Sequence, residues 1–400
     1  MILMQLSSNV VPERITYLVG SANIISTMPD VPALPSFDEK VISFLNALSK
    51  ALMGYREYSD VVTFAFWIRQ ANIKNLQERF KSDEFRLGRG MVFHIAPSNV
   101  PVNFAYSMVS ALLCGNSNVV RVPSKDFPQV EIITNAITKT LEQHPELKRY
   151  IACVRYEHNK EINDLFSSIC DVRIIWGGDK TIETLRQSPL QPRSTEITFA
   201  DRYSIAVIDS DTYLAIEDKR RVAQNFYNDT FFSDQNACTS PRIIIWTGDQ
   251  IQEAKEQFWQ FEHTVVKEKY NFQPIQAVNK LTRAYLDAVA FNDLHIEPHE
   301  DNFIYRVKLE SLLGLNLDNN SGYFYEYDCK HNLLEIKELC NSKKCQTSAY
   351  IGEKEMFTEL LSCGIKGIDR IVPVGTTMDF DLVWDGYDLT HELSREITTL

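Results

Sequence analysis

Among 400 residues no run approaches the roughly 18 consecutive apolar positions that a bilayer-crossing helix requires. The chain also lacks a secretory signal: Met1-Ile2-Leu3-Met4 has no cationic start and soon gives way to polar residues. None of the eight cysteines forms C-x-x-C, and a chain this long needs no disulfide staples, so reduced thiols in a cytoplasmic protein are expected. The spacing of Cys329, His331, Cys340 and Cys345 fits no common zinc site, and no metal is expected. Positive charge is in deficit. Lys and Arg number 41 against 53 Asp and Glu, a net charge of −12, which argues against a nucleic-acid-binding surface and leaves room only for a local phosphate pocket. Neither G-x-G-x-x-G nor a P-loop occurs, which argues against the usual Rossmann diphosphate loop and against ATP hydrolysis. Internal repeats and low-complexity tracts are missing as well.

What the chain does contain is strand and helix in alternation. Residues 1–35, with prolines at 12, 29, 32 and 35, read as irregular, and apolar residues at three- and four-residue steps from Phe37 to about Phe80 read as helical. Strands are expected at 91–95, 118–122, 151–156 and 171–176, with helices over 102–114, 127–143 and 159–169 and another opening after Gly177-Gly178. A second α/β unit begins with a strand at 203–208, followed by a helix over 213–231, a strand at 242–246, and helices over 249–268 and 277–292; residues 294–334 read as aromatic and irregular. This rhythm predicts α/β architecture with doubly wound parallel sheets. It divides the chain into a helical segment (1–80) packing on a later sheet, a first α/β lobe (81–200), a second (201–375) and a C-terminal segment (376–400).

Several short motifs carry chemistry. Asp234-Gln235-Asn236-Ala237-Cys238-Thr239-Ser240-Pro241 sets one cysteine in a small, polar turn before a strand, where a thiol can attack a carbonyl; the alternative is a small core residue. Pro97-Ser98-Asn99-Val100-Pro101 places an amide between two prolines after a strand, as an oxyanion donor or as a helix cap. Arg121, Pro123, Ser124 and Lys125 follow the next strand, where cations and free amides suit a ribose or its 2′-phosphate, though exposed cations in a connection look the same. Gly177 and Gly178 leave room for a diphosphate at a helix N-terminus. Glu196 stands just before the second unit, as a general base or a solvated carboxylate. His94 within a strand reads as a satisfied core histidine, His391 as a solvated residue, and the alternating Tyr-Phe-Tyr-Glu-Tyr at 323–327 as packing or as the lining of an acyl tunnel.

Taken in order, these motifs resemble the aldehyde dehydrogenase superfamily: Pro-x-Asn-x-Pro, then Gly-Asn with a valine-rich strand and Pro-Ser, then a strand ending in glycine, a glutamate, and Gln-x-x-Cys. Within it the chain looks like the long-chain acyl-CoA reductase family, the type that supplies fatty aldehyde for bacterial luminescence. The nearer likeness lies in Ile95-Ala96-Pro97-Ser98-Asn99-Val100-Pro101, Gly115-Asn116-Ser117-Asn118-Val119-Val120-Arg121, the cysteine turn, Gly367-Ile368-Asp369-Arg370-Ile371-Val372-Pro373 and Trp384-Asp385-Gly386-Tyr387-Asp388. The resemblance implies a cofactor lobe (81–200) and a catalytic lobe (201–375) with a cleft between them. It makes Cys238 the acyl-accepting nucleophile, Asn99 the oxyanion donor and Glu196 the counterpart of the superfamily glutamate. Pro97, Ser98, Arg121, Pro123, Ser124, Lys125, Gly177 and Gly178 fall at the cofactor site. Three departures stand out: Glu196 is followed by Ile-Thr-Phe-Ala rather than Leu-Gly-Gly-Lys, Val122 replaces a lysine, and Gly177-Gly178 replaces Gly-Ser.

The implied activity is NADPH-dependent reduction of a fatty acyl thioester to fatty aldehyde through an acyl-Cys238 enzyme. The acyl donor is acyl-CoA or an acyl-carrier or acyl-protein thioester, an acyl-protein synthetase is admitted as partner, and self-association through a C-terminal strand is expected. Aldehyde oxidation on the same fold, a semialdehyde-phosphate reductase and a non-catalytic subunit of an acyl-protein complex are the alternatives.

Overall fold

The computed structural model describes residues 15–82, 84–97, 100–291, 295–298, 301–312, 314–329, 332–342 and 344–398. The chain divides into two compact units, one of residues 1–200 with 381–400 and one of residues 201–380.

The first unit is built on six strands. They are β1 (Thr16–Val19), β3 (Met91–Ile95), β4 (Ser117–Arg121), β5 (Ile151–Arg155), β6 (Val172–Trp176) and β7 (Thr195–Phe199), with β2 (Phe85–Gly88) outside this sheet. Their order is β1-β5-β4-β3-β6-β7, parallel throughout except for β1, which runs antiparallel to β5. Strands β3, β4 and β6 are buried at every position; β3 and β6 are apolar except at His94 and Arg173, whereas β4 carries Ser117, Asn118 and Arg121 around its two valines. Helices α1 (Ala22–Thr27), α2 (Glu39–Leu52), α3 (Ser59–Trp67), α4 (Gln70–Arg79), α5 (Asn103–Leu113), α6 (Pro128–Gln143), α7 (Lys160–Ile169) and α8 (Asp179–Leu185) complete the unit. One core gathers α2 to α6 on the sheet face presented by Val120, Ile151 and Cys153. The other gathers α1, α7 and α8 on the face presented by Phe93, Val119 and Ala152. Residues 15–35, expected to be irregular, carry β1 and α1, because β1 gains a partner in β5 that lies far away in sequence.

From β3 the chain steps to β4 and β5 on one side, then returns to β6 on the other side of β3. The strand order therefore reverses between β3 and β6. In open α/β sheets, ligands settle at the carboxyl ends of the strands flanking such a reversal.

The C-terminal strand Ser394–Ile397 pairs antiparallel with β2 of its own chain. Asn116 fastens this closure. Its amide nitrogen donates to the carbonyls of Ala111 (2.9 Å) and Leu393 (2.8 Å), and its oxygen accepts from the backbone of Arg89 (2.7 Å) and Gly90 (3.1 Å). Gly115 beside it has φ +88°, and a Cβ there would meet the Leu34 carbonyl oxygen at 1.9 Å, so only glycine fits.

The second unit has seven strands: β8 (Tyr203–Asp209), β9 (Pro241–Thr247), β10 (His295–Pro298), β11 (Tyr305–Leu309), β12 (Tyr323–Asp328), β13 (Cys345–Ile351) and β14 (Arg370–Pro373). Their order is β10-β11-β12-β9-β8-β13-β14, with β10 alone antiparallel to its neighbour. Residues 294–334, expected to be irregular, supply three of these strands; their aromatic side chains are sheet packing. Tyr323 and Tyr325 each donate to Asp287 at 2.7 Å. The helix expected over 213–231 is two, α9 (Ser210–Ala215) and α10 (Lys219–Asp229), because Asp218 caps the second through the Arg221 amide. Helices α11 (Ile251–Lys269) and α12 (Pro274–Ala290) follow.

Candidate functional site

Cys238 lies in the turn between the 3₁₀ segment Phe231–Ser233 and β9. Asp234 (φ 53°) and Gln235 (φ 58°) are consecutive left-handed residues, neither of them glycine, so the surroundings must hold them in place. Gln235 is fully buried; its amide donates to the Pro241 carbonyl (2.8 Å) and its oxygen accepts from the Gly322 amide (3.2 Å). Asp234 accepts from the Tyr270 hydroxyl (2.7 Å) and the Gln276 amide (3.0 Å). Ser204 of β8 donates to the Cys238 carbonyl at 2.7 Å, and the Ser240 amide donates to the Ala237 carbonyl at 3.0 Å. Thr239 donates to the Met378 sulfur at 3.1 Å. The backbone around the sulfur is thus fixed on both sides.

The eight cysteines are not equivalent. Cys238 is half-buried, whereas Cys114, Cys153, Cys170, Cys329, Cys340 and Cys345 are buried and Cys363 is exposed. Burial pushes the thiols of Cys114, Cys153 and Cys170 up to about 12. Arg242 stands four positions after Cys238, and burial pulls its guanidinium below the ordinary arginine value while the charges of Cys238, Asp318 and Asp201 push it back. Arg242 is held by a bond to the Leu317 carbonyl and feels the Cys238 charge. In the sequence Arg242 reads only as the start of a strand; a basic residue four positions beyond the cysteine is the available signal.

Three groups of residues expected at a cofactor site share one edge of the first unit. Pro97 follows β3, Arg121 ends β4 and leads to Pro123, Ser124 and Lys125, and Gly177 and Gly178 follow β6. Ser98 and Asn99 lie outside the described residues. Arg121 is 8% exposed, donates to the Tyr156 carbonyl (3.3 Å) and has its guanidinium 4.7 Å from the Tyr156 ring centre. Ser124 and Lys125 are exposed, and the Lys125 ammonium lies 5.0 Å from the Phe127 ring centre. A Cβ at Gly177 would come within 3.1 Å of the Thr181 methyl.

Beneath this edge runs a buried polar chain. The Trp176 indole donates to Ser107 at 3.0 Å, Ser107 faces His94 Nδ1 at 2.8 Å, and His94 Nε2 faces Asn118 Oδ1 at 2.9 Å. Asn118 spends its amide protons on the Asn116 and Tyr150 carbonyls, so its oxygen accepts. The bonds therefore assign the proton to Nε2. Burial lowers His94 to about 4, which keeps the ring neutral.

Glu196 sits on β7 in the grip of two arginines. Arg173 donates to one oxygen at 2.5 and 2.9 Å, and Arg186 donates to the other at 2.7 Å. Arg173 is itself buried and donates further to the Ser167 hydroxyl and the Ser188 carbonyl. Neither arginine was singled out in the sequence. Among the described residues no group of three or more His, Cys, Asp or Glu side chains can hold a metal ion, and no helix is long and apolar enough to cross a membrane.

Nine residues before Cys238, Asp229 closes α10. Its oxygens accept from the Gly375 amide (2.6 Å) and the Thr377 amide (3.0 Å), holding the loop that carries Met378 to Thr239. Burial raises its carboxyl from 3.8 to about 6, and fully buried Glu262 is raised by burial and by the Asp229 charge. A raised carboxyl binds protons more tightly in the folded state, so its contribution to stability is fully present below pH 3.8 and is lost as pH rises through about 6. The stability of the protein relative to Asp229→Asn should therefore fall by about 3 kcal/mol between pH 4 and pH 7, read from urea midpoints. A difference that does not change with pH would remove Asp229 from this account.

The architecture has relatives among solved structures. Aldehyde dehydrogenase 21 from Physcomitrella patens superposes with a TM-score of 0.68 at 12% identity, over 93% of this chain and 87% of that one. Lactaldehyde dehydrogenase from Escherichia coli gives 0.62 at 13% identity, over 93% and 88%. The fold is that of the aldehyde dehydrogenases. In sequence, the long-chain acyl-protein thioester reductase of Photorhabdus laumondii is 24% identical over 321 residues, 78% of this chain and 63% of the relative. Long-chain acyl-protein thioester reductase 2 of Photobacterium leiognathi is 27% identical over 209 residues, 50% of this chain and 42% of the relative. The matched part of the chain thus spans about two-fifths to three-fifths of these relatives. The family described as Acyl-CoA reductase (LuxC) matches residues 23–396. The chain belongs to the acyl-CoA reductase (LuxC) family.

Proposed function

We propose that this chain is an acyl-thioester reductase that forms fatty aldehyde through an acyl-enzyme on Cys238. The observation that carries the reading is the cysteine turn: a half-buried sulfur on a backbone pinned by Ser204 and Gln235, with the Arg242 cation close by. The Cys238 thiolate adds to the thioester carbonyl, and the tetrahedral adduct expels the donor thiolate. One thioester replaces another, so the step is close to balanced in free energy. Asn99, the family's oxyanion donor by position, and the Cys238 amide stabilise the negative oxygen. NADPH held at the carboxyl edge of β3, β4 and β6 would supply the hydride that reduces the acyl-enzyme carbonyl. Collapse of that second adduct releases aldehyde and returns the Cys238 thiolate.

The carboxyl edge of β3, β4 and β6 suits a dinucleotide, because it flanks the reversal in strand order and presents an exposed hydroxyl and ammonium. Pro97, Pro123, Ser124, Gly177 and Gly178 would line it. Lys125 is the better partner for a 2′-phosphate, since Arg121 is engaged with Tyr156. Glu196 is left out of the chemistry. Reduction needs no hydrolytic water, so a carboxylate with both oxygens held by arginine fits a reductase better than an aldehyde oxidase.

Incubation with NADPH and a series of fatty acyl-CoA esters should yield the matching aldehydes and free thiol by mass spectrometry. NADH should serve less well, and Lys125→Ala should narrow that gap. Acid formed from added aldehyde, with no aldehyde from any thioester, would replace this reading with aldehyde oxidation.

A further inference from the structure

Helix α12 is amphipathic in the inverted sense. Every charged side chain it carries is turned toward the body of its unit and satisfied there. Lys280 donates to the carbonyls of Asn302 and Phe303, Arg283 to the Tyr325 hydroxyl (3.1 Å) and the Asn316 carbonyl (2.9 Å). Asp287 accepts from Tyr323 and Tyr325 and forms an ion pair with Arg283 at 2.7 Å. Gln276 donates to Asp234 (3.0 Å) and Tyr270 (2.8 Å). These bonds fix the rotation of the helix, and that rotation leaves its apolar residues outside. Ile275 is 62% exposed, Tyr285 66% and Val289 87%, and Val278, Leu281 and Leu286 are exposed with them. The other exposed positions of the helix are Pro274, Asn279, Thr282, Ala288 and Ala290, so the outward face has no charge at all.

We infer that the outward face of α12 is the contact by which two copies of this chain pair, helix against antiparallel helix about a two-fold axis. Three observations select a second copy as the occupant. A chain of net charge −12 that meets itself must set like charges opposite one another on most of its surface, and this face has none to oppose. A two-fold contact requires a self-complementary surface, which a uniform apolar stripe supplies. The stripe also has the right size. At about 150–250 Å² for a large side chain, the six residues present on the order of 700 Å², near the roughly 800 Å² per partner of a standard interface.

Sedimentation of the full chain should give the mass of a dimer, and Val278→Glu with Tyr285→Glu should halve it while the far-ultraviolet circular dichroism is unchanged. The corresponding lysine pair, Val278→Lys with Tyr285→Lys, should also be monomeric, and mixing the acidic and basic variants should restore the dimer. Thr282→Cys, at the middle of the helix, should form a covalent dimer under mild oxidation by copper phenanthroline, which checks the contact with a conservative substitution. A wild-type monomer at all concentrations overturns the inference. So does a dimer whose mass ignores the glutamates, or a Thr282→Cys chain that does not cross-link.

Discussion

A Cys238→Ala chain incubated with labelled fatty acyl-CoA carries no covalent label, and its aldehyde production falls by on the order of 10⁴-fold or more, as expected when a covalent nucleophile is removed. The other cysteines cannot take its place. Cys114, Cys153 and Cys170 have thiols pushed up to about 12, which leaves on the order of one thiolate in 10⁵ at pH 7, and those sulfurs are buried. Cys345 is raised by its contact with Cys340 and by burial. Cys363 is exposed and therefore makes the matching control: Cys363→Ser should keep both label and turnover. Label retained on Cys238→Ala would end the acyl-enzyme mechanism, whatever the product analysis shows.

The second large effect is on stability. Replacing Glu196 with alanine leaves Arg173, whose side chain is 3% exposed, with a buried charge and no counter-charge. Breaking a buried pair from one side costs about 3–5 kcal/mol, because the remaining ion stays desolvated. The remaining bonds of Arg173 to Ser167 and the Ser188 carbonyl do not supply the missing charge. Glu196→Gln keeps an acceptor and should lose less. Denaturant midpoints read both effects, and turnover per folded molecule should hardly change. An unaltered midpoint with turnover lost would return Glu196 to the chemistry as a general base.

The parallel core strands were legible because a strand covered on both faces is apolar at most positions. Met91–Ile95, with His94 its one polar residue, and Val172–Trp176, with Arg173 its one charge, are of this kind, and their helical neighbours follow from three- and four-residue steps. Strand β12 was harder to read. Its Glu326 is buried but accepts from the Trp246 and Trp259 indoles and from Arg306, partners that lie 20 to 80 positions away. The same limit hid the rotation of α12. Its period of apolar residues is plain in the sequence, yet which side faces inward is decided by Asn302, Asn316, Tyr323 and Tyr325, none of them local. At the cysteine turn the sequence identified the sulfur but not its electrostatics, since Arg242 gains its influence from burial and from the Leu317 carbonyl. Arg121 shows the reverse case: its position at the end of β4 was readable, but the attachment of its side chain to Tyr156 was not.

The closure made by Asn116 bears on the order in which the polypeptide can mature during translation. The Leu393 carbonyl and the partner strand of β2 belong to residues 381–400, which leave the ribosome only after the whole of residues 201–380. Until then one Asn116 amide proton has no acceptor and β2 is an open edge. The half of the molecule that is made first is therefore the last to be finished, and the nascent chain must carry that unsealed edge while the other half is made.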